Sequence, residues 1–587
     1  MPGVEDEVDV AALIRRVADL EADLRRKPRF GLVFEREPGD EPEAADAALA
    51  ERLPVLAELT SRRVSSSIES AAPPHLLIEG DNLHVLTAMQ YTHAGAVDVI
   101  YIDPPYNTGS EFVYNDKLVD KADAWRHSKW LSFMDRRLRL AHKLLNERGI
   151  IFIAIDDHEA AHLRLLCDQI FGEDNFIGNV VWDGGPKNGD QFLSEATDYM
   201  LVYARSKEAT RRGGIRWRER PGATDLILAE AAKIQRKHAD NAASTKALRS
   251  WFSSLPKNHP AREMKHYNNI DDRGVWFGDA VHSPAGNGGT YDLLHPVTGR
   301  PCKVPSRGWL FAPDTAKRLV EGGLLAFGPD ETSLPKRKRY LHEHTGKLPH
   351  AVFHKDRRAA VQQLNQMIGR EKFDYPKDAV VLARWLRLAG SKSAVILDFF
   401  AGSGSTAHAV AMLNASDGGT RQAILVTNNE NDICSAVTHP RIKAALTGAW
   451  ANGPHDPLSG ELRYYRCKFV TRSANRDTLL GRLAVHAVDL VAVRERTFDV
   501  AAGEKGRWAL LTGPDKVVAV WGDPDLCDLS PLIKTLAVRE LPTNRALYCF
   551  SSDGDVPAID LSDWEGWRIE PLPRHLLEAM RSAADGQ

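Results

Sequence analysis

An acid, two prolines and a tyrosine stand together at residues 103–106, directly after a short run rich in β-branched and aromatic residues. Such a run predicts a buried parallel strand. Two consecutive prolines can neither donate to a sheet ladder nor continue a helix. Asp103 and Tyr106 are therefore predicted to lie on a stiff turn at the carboxyl end of a strand, where open α/β sheets bind their ligands.

This turn suits an amino group on an aromatic ring. Asp103 offers an acceptor for one amine hydrogen. A carbonyl preceding or within Pro104-Pro105, which we expect to have no competing donor, offers a second. Tyr106 offers a face on which a planar ring can stack. Two acceptors would pyramidalise the nitrogen and free its delocalised lone pair for attack. The plainer interpretation is a strand that simply ends in a Pro-Pro turn.

A second block combines a strand, an acid and a glycine-rich turn at residues 394–406, and a helix is predicted to start near Thr406. Gly402 and Gly404 permit a tight turn and a close approach of backbone to ligand. The block lacks the lysine of a phosphate loop, and Asp398 would repel phosphate. It therefore favours a neutral or cationic ligand, such as the methionine end of S-adenosylmethionine. Glu430 follows the next predicted strand, where such folds bind ribose hydroxyls.

The two blocks together resemble the β class of DNA amino-methyltransferases, and most nearly the modification (Mod) subunits of type III restriction–modification systems. Asp-Pro-Pro-Tyr is typical of N6-adenine methylation, and the loop formed by Phe400, Gly402 and Gly404 is typical of S-adenosylmethionine binding. The catalytic block precedes the cofactor block, with a long insertion between them. The resemblance spans roughly residues 29–446.

The resemblance implies a Rossmann-like α/β methyltransferase fold with a permuted, mixed and mostly parallel sheet, an inserted target-recognition domain and a small C-terminal α/β module. It places Asp81 at the adenosyl end of the cofactor, although an acid there is also a good helix N-cap. It places Lys377 beside the cofactor. The predicted catalytic residues are Asp103, Pro104, Pro105 and Tyr106. The predicted cofactor residues are Asp81, Lys377, Asp398, Phe400, Gly402, Gly404, Thr406 and Glu430.

The implied reaction flips an adenine out of duplex DNA, at a cost of a few kcal/mol, and methylates its N6 amine. No metal is expected, because a sulfonium methyl already has a good leaving group.

The 587 residues carry a formal net charge of −3 and are 43 % hydrophobic, which allows two to four domains. The six cysteines include no Cys-x-x-Cys pair, so the sequence indicates neither a zinc site nor a disulfide framework. No secretory signal or membrane span is predicted. The resemblance implies a bacterial cytoplasmic protein associated with the nucleoid.

Positive charge is concentrated in the insertion. Residues 211–273 contain 14 Lys/Arg and 7 Asp/Glu, and residues 335–372 contain 10 and 3. Residues 1–52 show the opposite bias, with 14 Asp/Glu and 8 Lys/Arg. The insertion is therefore the expected phosphate-contacting surface.

Five domains are predicted. They are an N-terminal helical and acidic extension (1–71), a catalytic half (72–204), a target-recognition domain (205–370), a cofactor-binding half (371–450) and a C-terminal association or docking module (451–587).

Three alternatives stay open. N4-cytosine methylation uses the same chemistry, although the family's cytosine enzymes more often carry Ser at the position of Asp103. The substrate could be RNA, against which the long recognition insertion argues. The chain could also be a catalytically silent DNA-recognition subunit, against which the intact motifs argue.

The resemblance further implies a homodimer on double-stranded DNA, in which one protomer recognises the site while the other methylates it. An amphipathic helix predicted at residues 8–27 fits such a contact. The sequence has no helicase pattern or phosphate loop, so restriction would need a separate helicase and nuclease subunit.

Overall fold

The computed structural model describes residues 48–49, 51–108, 125–185, 197–219, 222–238, 240–256, 259–343, 346–473, 476–504, 507–522, 530–549 and 564–572. The predicted helix at 8–27 and most of the loop after Tyr106 lie outside these ranges. The described residues form two compact units, one made of residues up to 215 and from 350 onward, the other of Arg216–Pro349.

The strands of the described residues are β1 (Arg52–Glu58), β2 (Val64–Ser65), β3 (His75–Glu79), β4 (Val97–Ile102), β5 (Leu145–Ile155), β6 (Phe176–Asp183), β7 (Thr197–Ala204), β8 (Asn269–Asp271), β9 (Gly274–Asp279), β10 (Leu325–Ala326), β11 (Lys336–Tyr340), β12 (Val352–His354), β13 (Val395–Asp398), β14 (Gln422–Thr427), β15 (Ala449–Trp450), β16 (Gly453–Pro454), β17 (Glu461–Thr471), β18 (Asp499–Glu504), β19 (Trp508–Thr512), β20 (Lys516–Trp521), β21 (Asn544–Cys549) and β22 (Arg568–Pro571).

The α-helices are α1 (Asn82–His93), α2 (Arg126–Leu144), α3 (Ala160–Phe171), α4 (Lys207–Arg212), α5 (Thr224–Lys237), α6 (Asn241–Ser254), α7 (Pro313–Glu321), α8 (Arg358–Ile368), α9 (Ala379–Ala389), α10 (Ser405–Asp417), α11 (His439–Thr447), α12 (Arg476–Ala484), α13 (Ala487–Glu495) and α14 (Ser530–Ala537). Short 3₁₀ turns lie at Thr60–Arg62, Glu173–Asn175, Pro260–Met264 and Glu430–Asp432, and a π-helical turn lies at Ile433–Thr438.

One mixed sheet organises the first unit. Its described strands run in the order β1-β17-β3-β14-β13-β4-β5-β7-β6-β12, with β2 paired to β17. The six strands from β17 to β5 are parallel, while β1, β2 and β7 pair antiparallel to their neighbours. The predicted α/β fold is confirmed. The permuted order is visible where β4, early in the chain, pairs with β13, nearly 300 residues later.

The centre of this sheet is fixed by burial. Val99, Ile100 and Ile102 of β4 are fully buried, as are Ile396 and Leu397 of β13. Each such side chain contributes about 1.5–3 kcal/mol when it leaves water. A strand covered on both faces needs this continuous apolar run, which is why the sequence identified β4 and β13 without ambiguity. The two predicted motifs thus leave the sheet side by side.

The second unit, Arg216–Pro349, contains a four-stranded sheet in the order β10-β11-β9-β8 together with α5, α6 and α7. The predicted target-recognition domain was wider, at 205–370. The structure instead places α4, β12 and α8 in the first unit, and β12 pairs parallel with β6. The sequence did not indicate this pairing, because β12 has only three residues and so is too short to show the alternation of apolar and polar residues typical of a strand.

A five-stranded sheet, β18-β19-β20-β21-β22, follows near the C-terminus. The predicted boundary at residue 451 does not fall at the edge of the main sheet, because β17 lies inside that sheet between β1 and β3. The amphipathic spacing of residues 478–497 predicts one helix, whereas the structure has two, α12 and α13. Within the described ranges, every helix is too short or too polar to cross a membrane.

Candidate active site

The turn after β4 and the loop after β13 open into one cavity of about 210 Å³. The sheet positions both, because parallel neighbours deliver their carboxyl ends to the same edge. The lining residues come from these two segments, from residues 373–382 and from the π-helical turn. They are Tyr101, Asp103, Pro104, Pro105, Phe373, Tyr375, Lys377, Leu382, Asp398, Phe400, Ala401, Gly402, Ser403, Ser405, Thr406 and Ile433.

Asp103, Tyr106 and Lys377 form a hydrogen-bonded triad. The Tyr106 hydroxyl donates to Asp103 Oδ1 at 2.6 Å, and Lys377 Nζ donates to the Tyr106 hydroxyl at 2.7 Å. Lys377 Nζ also lies 3.0 Å from Asp103 Oδ1. In the described part of the chain, no donor lies on Asp103 Oδ2. One oxygen of Asp103 is thus fixed by Tyr106 and Lys377, and the described residues leave the other oxygen open to accept a hydrogen bond from a bound molecule.

The charge on Lys377 is maintained by two acids. Burial alone would lower the pKa of Lys377, but the carboxylates of Asp103 and Asp198 raise it above its ordinary value. Asp198 lies 3.6 Å from Lys377 Nζ and is itself held by Arg357 at 3.0 Å. Burial beside Asp103 raises the pKa of Tyr106 well above its usual value, so Tyr106 remains a hydrogen-bond donor.

The proline carbonyls differ in what they contact. The indole of Trp130, on α2, donates to the Pro105 carbonyl at 2.7 Å. The expectation that the carbonyls of the pair lack a competing donor is therefore wrong at Pro105. The Pro104 carbonyl is the better second acceptor for an amine.

The loop after β13 needs both of its glycines for different reasons. Gly402 has φ +47° and Gly404 has φ +78°, a left-handed backbone that favours glycine. A Cβ on Gly404 would also lie 3.2 Å from the Thr438 methyl group, while one on Gly402 would meet Phe373 only at 3.6 Å. Gly402 is therefore required mainly by conformation, and Gly404 by conformation and packing.

Asp398 is 3 % exposed and accepts two neutral hydrogen bonds, from Thr406 Oγ1 at 2.5 Å and from the Phe400 amide at 3.1 Å. Burial raises its pKa to about 7, and these two bonds oppose the rise. A cationic ligand beside Asp398 would favour its ionised form. This agrees with the sequence-based preference for a neutral or cationic ligand over phosphate.

A buried arginine that the sequence did not single out as a site residue lies beneath the same loop. Arg441 Nη1 donates to Ser403 Oγ at 2.8 Å and to Ser405 Oγ at 2.6 Å. Its Nε and Nη2 have no hydrogen-bond partner among the described residues. Burial lowers the pKa of Arg441 to about 10, with Asp378 acting in the opposite direction, so it stays charged at neutral pH. The loop thus combines a carboxyl in the cavity with a positive charge behind its serines.

Three predicted cofactor residues, Asp81, Gly404 and Glu430, do not line the cavity. Asp81 is the N-cap of α1 and accepts from the amides of Leu83 and His84 at 2.8 and 3.4 Å. Glu430 lies in a 3₁₀ turn, where it accepts from Asn428. Neither the strand-end acid pattern nor its spacing distinguishes a capping acid from a ligand-binding one.

Tyr106 and Gly404 adjoin the cavity without lining it, and the hydroxyl of Tyr106 is turned toward Asp103 and Lys377. The exposed aromatic ring at the cavity belongs to a different residue, which the sequence did not single out. Tyr375 lines the cavity and is 85 % exposed. Its only sequence signal was its proximity to Lys377.

Comparison with known proteins finds sequence similarity to DNA methyltransferases. A model of the DNA methylase family matches residues 97–421, more than half of the chain. The Mod subunit of the type III restriction–modification enzyme EcoP15I from Escherichia coli is 34 % identical over 403 residues, which cover 63 % of this chain and 61 % of that protein.

Two further relatives show similar identity. The StyLTI Mod subunit from Salmonella typhimurium is 33 % identical over 380 residues, 60 % of this chain and 52 % of that protein. The type II methyltransferase M.KpnI from Klebsiella pneumoniae is 33 % identical over 361 residues, 60 % of this chain and 79 % of that protein. The chain thus spans between half and two thirds of the length of the two Mod subunits.

Proposed function

Because the chain belongs to the N6/N4 DNA methylase family, we propose that it transfers a methyl group from S-adenosylmethionine to the N6 amine of an adenine flipped out of duplex DNA. The observation that carries the proposal is the shared cavity. An acid with one fixed and one available oxygen faces the same space as a glycine-rich loop with a buried carboxyl group.

The residues of the loop fit the cofactor. When bound, S-adenosylmethionine supplies an electrophilic methyl group on a positively charged sulfur. The left-handed glycines allow the backbone to approach it closely. Asp398 matches a positive charge, and Arg441 behind Ser403 and Ser405 matches a negative one. The two together are complementary to the zwitterionic amino-acid end of the cofactor.

Asp103 and Pro104 prepare the amine. Asp103 Oδ2 accepts a hydrogen bond from one N–H of the amine, and the Pro104 carbonyl accepts one from the other N–H. These two bonds make the nitrogen pyramidal, so that its lone pair is no longer delocalised into the ring. Lys377 and Tyr106 hold Asp103 Oδ1 and so orient the carboxylate. As the nitrogen–carbon bond forms, the carbon–sulfur bond would break, S-adenosylhomocysteine would leave, and the amine would lose one proton, which Asp103 is placed to accept. Positioning of nitrogen, methyl and sulfur supplies the rest of the rate enhancement.

Tyr375 is the ring on which we expect the flipped base to stack. Stacking of a base on an aromatic side chain contributes about 1–3 kcal/mol, which offsets the few kcal/mol needed to leave the duplex. Tyr106 forms the wall behind Asp103, with its hydroxyl engaged.

Adenine is preferred to cytosine because Asp-Pro-Pro-Tyr is intact at residues 103–106. The same two acceptors would also bind the N4 amine of cytosine, so N4-cytosine methylation is the second candidate. The catalytically silent subunit is not favoured, because the triad and the glycine loop are both assembled.

The unit Arg216–Pro349 is proposed to recognise the DNA sequence. Its strand β11 has the sequence Lys-Arg-Lys-Arg-Tyr. Lys338 is paired with Asp271 and Arg339 with Asp279, whereas Lys336 and Arg337 have no such ion pair in the described residues. Deletion of this unit should remove sequence specificity. The first unit should still bind S-adenosylhomocysteine, the product that remains when S-adenosylmethionine has lost its methyl group.

We further propose assembly as a homodimer that works with a separate restriction subunit. The support is the identity shared with two Mod subunits of restriction–modification enzymes. Light scattering at micromolar concentration tests the dimer directly, and a monomer that methylates efficiently would contradict it.

Long-read sequencing of a bacterial host that expresses the chain tests the function. We expect methylated adenine at one sequence context that is absent from a host expressing Asp103→Ala. Methylation of cytosine would support the second candidate. No new methylation would contradict both.

A further inference from the structure

Glu159 is a fully buried carboxylate that lies outside the cavity, at the turn between β5 and α3. Its Oε1 accepts hydrogen bonds from Asn107 Nδ2 at 2.5 Å and from His127 Nδ1 at 2.6 Å. Its Oε2 accepts one from His162 Nδ1 at 2.9 Å. We call these four residues the Glu159 cluster. A buried carboxylate is tolerated only when donors satisfy it, and here three do.

Two histidines and a carboxylate are also a known set of metal ligands, and the ligand atoms of His127, Glu159 and His162 lie within 4.8 Å of one another. The contacts favour a hydrogen-bond network instead. The two histidine–carboxylate distances are those of direct hydrogen bonds. Arg126 Nε donates to His127 Nε2 at 3.1 Å, which places a guanidinium where it would repel a metal dication.

The cluster is attached to the catalytic turn through Asn107, the residue that follows Tyr106. Asn107 is 3 % exposed and has φ +57°, an uncommon backbone for a residue other than glycine. Its side-chain amide is held by Glu159 and lies 3.4 Å from the Arg126 carbonyl at the start of α2. Four residues further into that helix, Trp130 holds the Pro105 carbonyl. The turn is thus anchored at two points on either side of Tyr106.

We propose that Glu159 is a positioning residue for methyl transfer, which acts through Asn107 to fix Tyr106 and, through Tyr106, the orientation of Asp103. This role rests on the proposed function. It follows from the chain of contacts, because Tyr106 must lie within hydrogen-bond distance of both Asp103 and Lys377. Misplacement of a reacting group by 1 Å can reduce a rate by about 10²-fold.

The test is a double-mutant cycle with Glu159→Ala and Asn107→Gly. Glycine keeps the left-handed backbone without strain but removes the hydrogen bond. The single-turnover rate of methyl transfer is measured with tritiated S-adenosylmethionine on plasmid DNA from a host without adenine methylation. We expect each single variant to lose roughly 10- to 100-fold in rate. The double variant should lose no more than one of them, because both break the same contact.

Two readouts separate positioning from general damage. The affinity for S-adenosylhomocysteine, measured by calorimetry, should be unchanged in all variants, because the glycine loop is intact. Glu159→Gln should recover part of the rate, since its amide oxygen can still accept from Asn107. His158→Ala is the matched control, because this exposed neighbour on the same turn contacts only Asp156 in the described structure. It should behave as the wild type.

Several results would overturn the role. An unchanged rate in Glu159→Ala or additive losses in the double variant would do so. A parallel loss of S-adenosylhomocysteine affinity would also do so. So would the finding that each chain binds one metal ion tightly and that a chelator abolishes methyl transfer. If Glu159→Ala does not fold, Asn107→Gly alone decides, and a wild-type rate in that variant contradicts the proposal. An inactive wild type would overturn the proposed function as well, whereas an active wild type with an equally active Glu159→Ala overturns only the positioning role.

Discussion

Asp103 and Asp398 are the same residue type at the carboxyl ends of two neighbouring parallel strands, β4 and β13, but the chain surrounds them differently. The side chain of Asp103 is 25 % exposed and is paired with the Lys377 ammonium. Asp398 is 3 % exposed, and its hydrogen-bond donors among the described residues are the neutral groups of Thr406 and Phe400. The first arrangement places a cation of the protein beside the carboxylate. The second leaves the carboxyl close to half-protonated at pH 7.

The difference shows how one residue type serves two chemistries in one cavity. A neutral amine needs an acceptor whose charge is already compensated by the protein, because the amine brings no charge of its own. A cationic ligand is better matched by an acid that lacks a partner, because the ligand then supplies the missing charge. Substitutions on either side of the cavity and a pH titration test this division.

Asp103→Ala should abolish methyl transfer, because it removes the acceptor for the target amine, while S-adenosylhomocysteine binding is retained. A loss of at least about 10³-fold is expected for a group that acts at the reacting atom. Asp156→Ala is the matched control, since Asp156 follows the adjacent strand β5 and contacts the exposed His158. Tritium transfer to DNA and calorimetry measure the two effects. Equal rates in Asp103→Ala and wild type would remove the catalytic assignment.

Gly404→Val should weaken S-adenosylhomocysteine binding by at least about tenfold, because valine strains the left-handed backbone and collides with Thr438. Gly418→Val is the control for strain alone. Gly418 has φ +66° at the far end of α10, and a Cβ there would meet nothing within 4 Å. Calorimetry on both variants, with melting temperatures, separates the two effects. Equal affinity in Gly404→Val and Gly418→Val would mean that the loop does not contact the cofactor.

The affinity for S-adenosylhomocysteine should rise with pH through the pKa of Asp398, which burial raises to about 7. The sign follows from linkage: the ligand's ammonium group favours the ionised carboxylate, and that form is scarce below the pKa. Between pH 6 and pH 8 the ionised fraction increases about tenfold, and the affinity should follow it. Asp398→Asn should flatten the profile. The same slope in Asp398→Asn and wild type would assign the pH dependence to another group.

Tyr375→Ala should raise the KM for DNA by about 5- to 10-fold, at the lower end of the range for base stacking, without changing S-adenosylhomocysteine affinity. Tyr375→Phe keeps the ring and should resemble the wild type. This variant pair locates the boundary between the base side and the cofactor side of the cavity. A change in cofactor affinity with an unchanged KM for DNA would place Tyr375 on the cofactor side.

Much of this site follows from local sequence, because a buried strand, a Pro-Pro turn and a glycine loop are each specified within about ten residues. β4, β13 and the left-handed backbone of Gly402 and Gly404 were predictable for that reason. The sequence also indicated that Asp398 disfavours phosphate and suits a neutral or cationic ligand. Its near-neutral pKa, however, depends on burial by the whole sheet.

The remainder depends on contacts between residues far apart in the chain. Asp198 reaches Lys377 only because β7 folds back beside β5, and Arg441 reaches the glycine loop only through packing of α11. No pattern of apolar and polar residues in the sequence indicates either contact. The place of β17 between β1 and β3 is likewise set by pairing partners about 400 residues away.

The central claim is that an acid with one fixed and one available oxygen activates an adenine amine. To test this role of Asp103, unmethylated duplex DNA is incubated with the purified chain and with S-adenosylmethionine that carries a trideuterated methyl group. The nucleosides are then analysed by mass spectrometry. We expect N6-methyl-2′-deoxyadenosine that carries the trideuterated methyl group, and none of it with Asp103→Ala. A labelled N4-methylcytosine, or no labelled nucleoside at all, would contradict it.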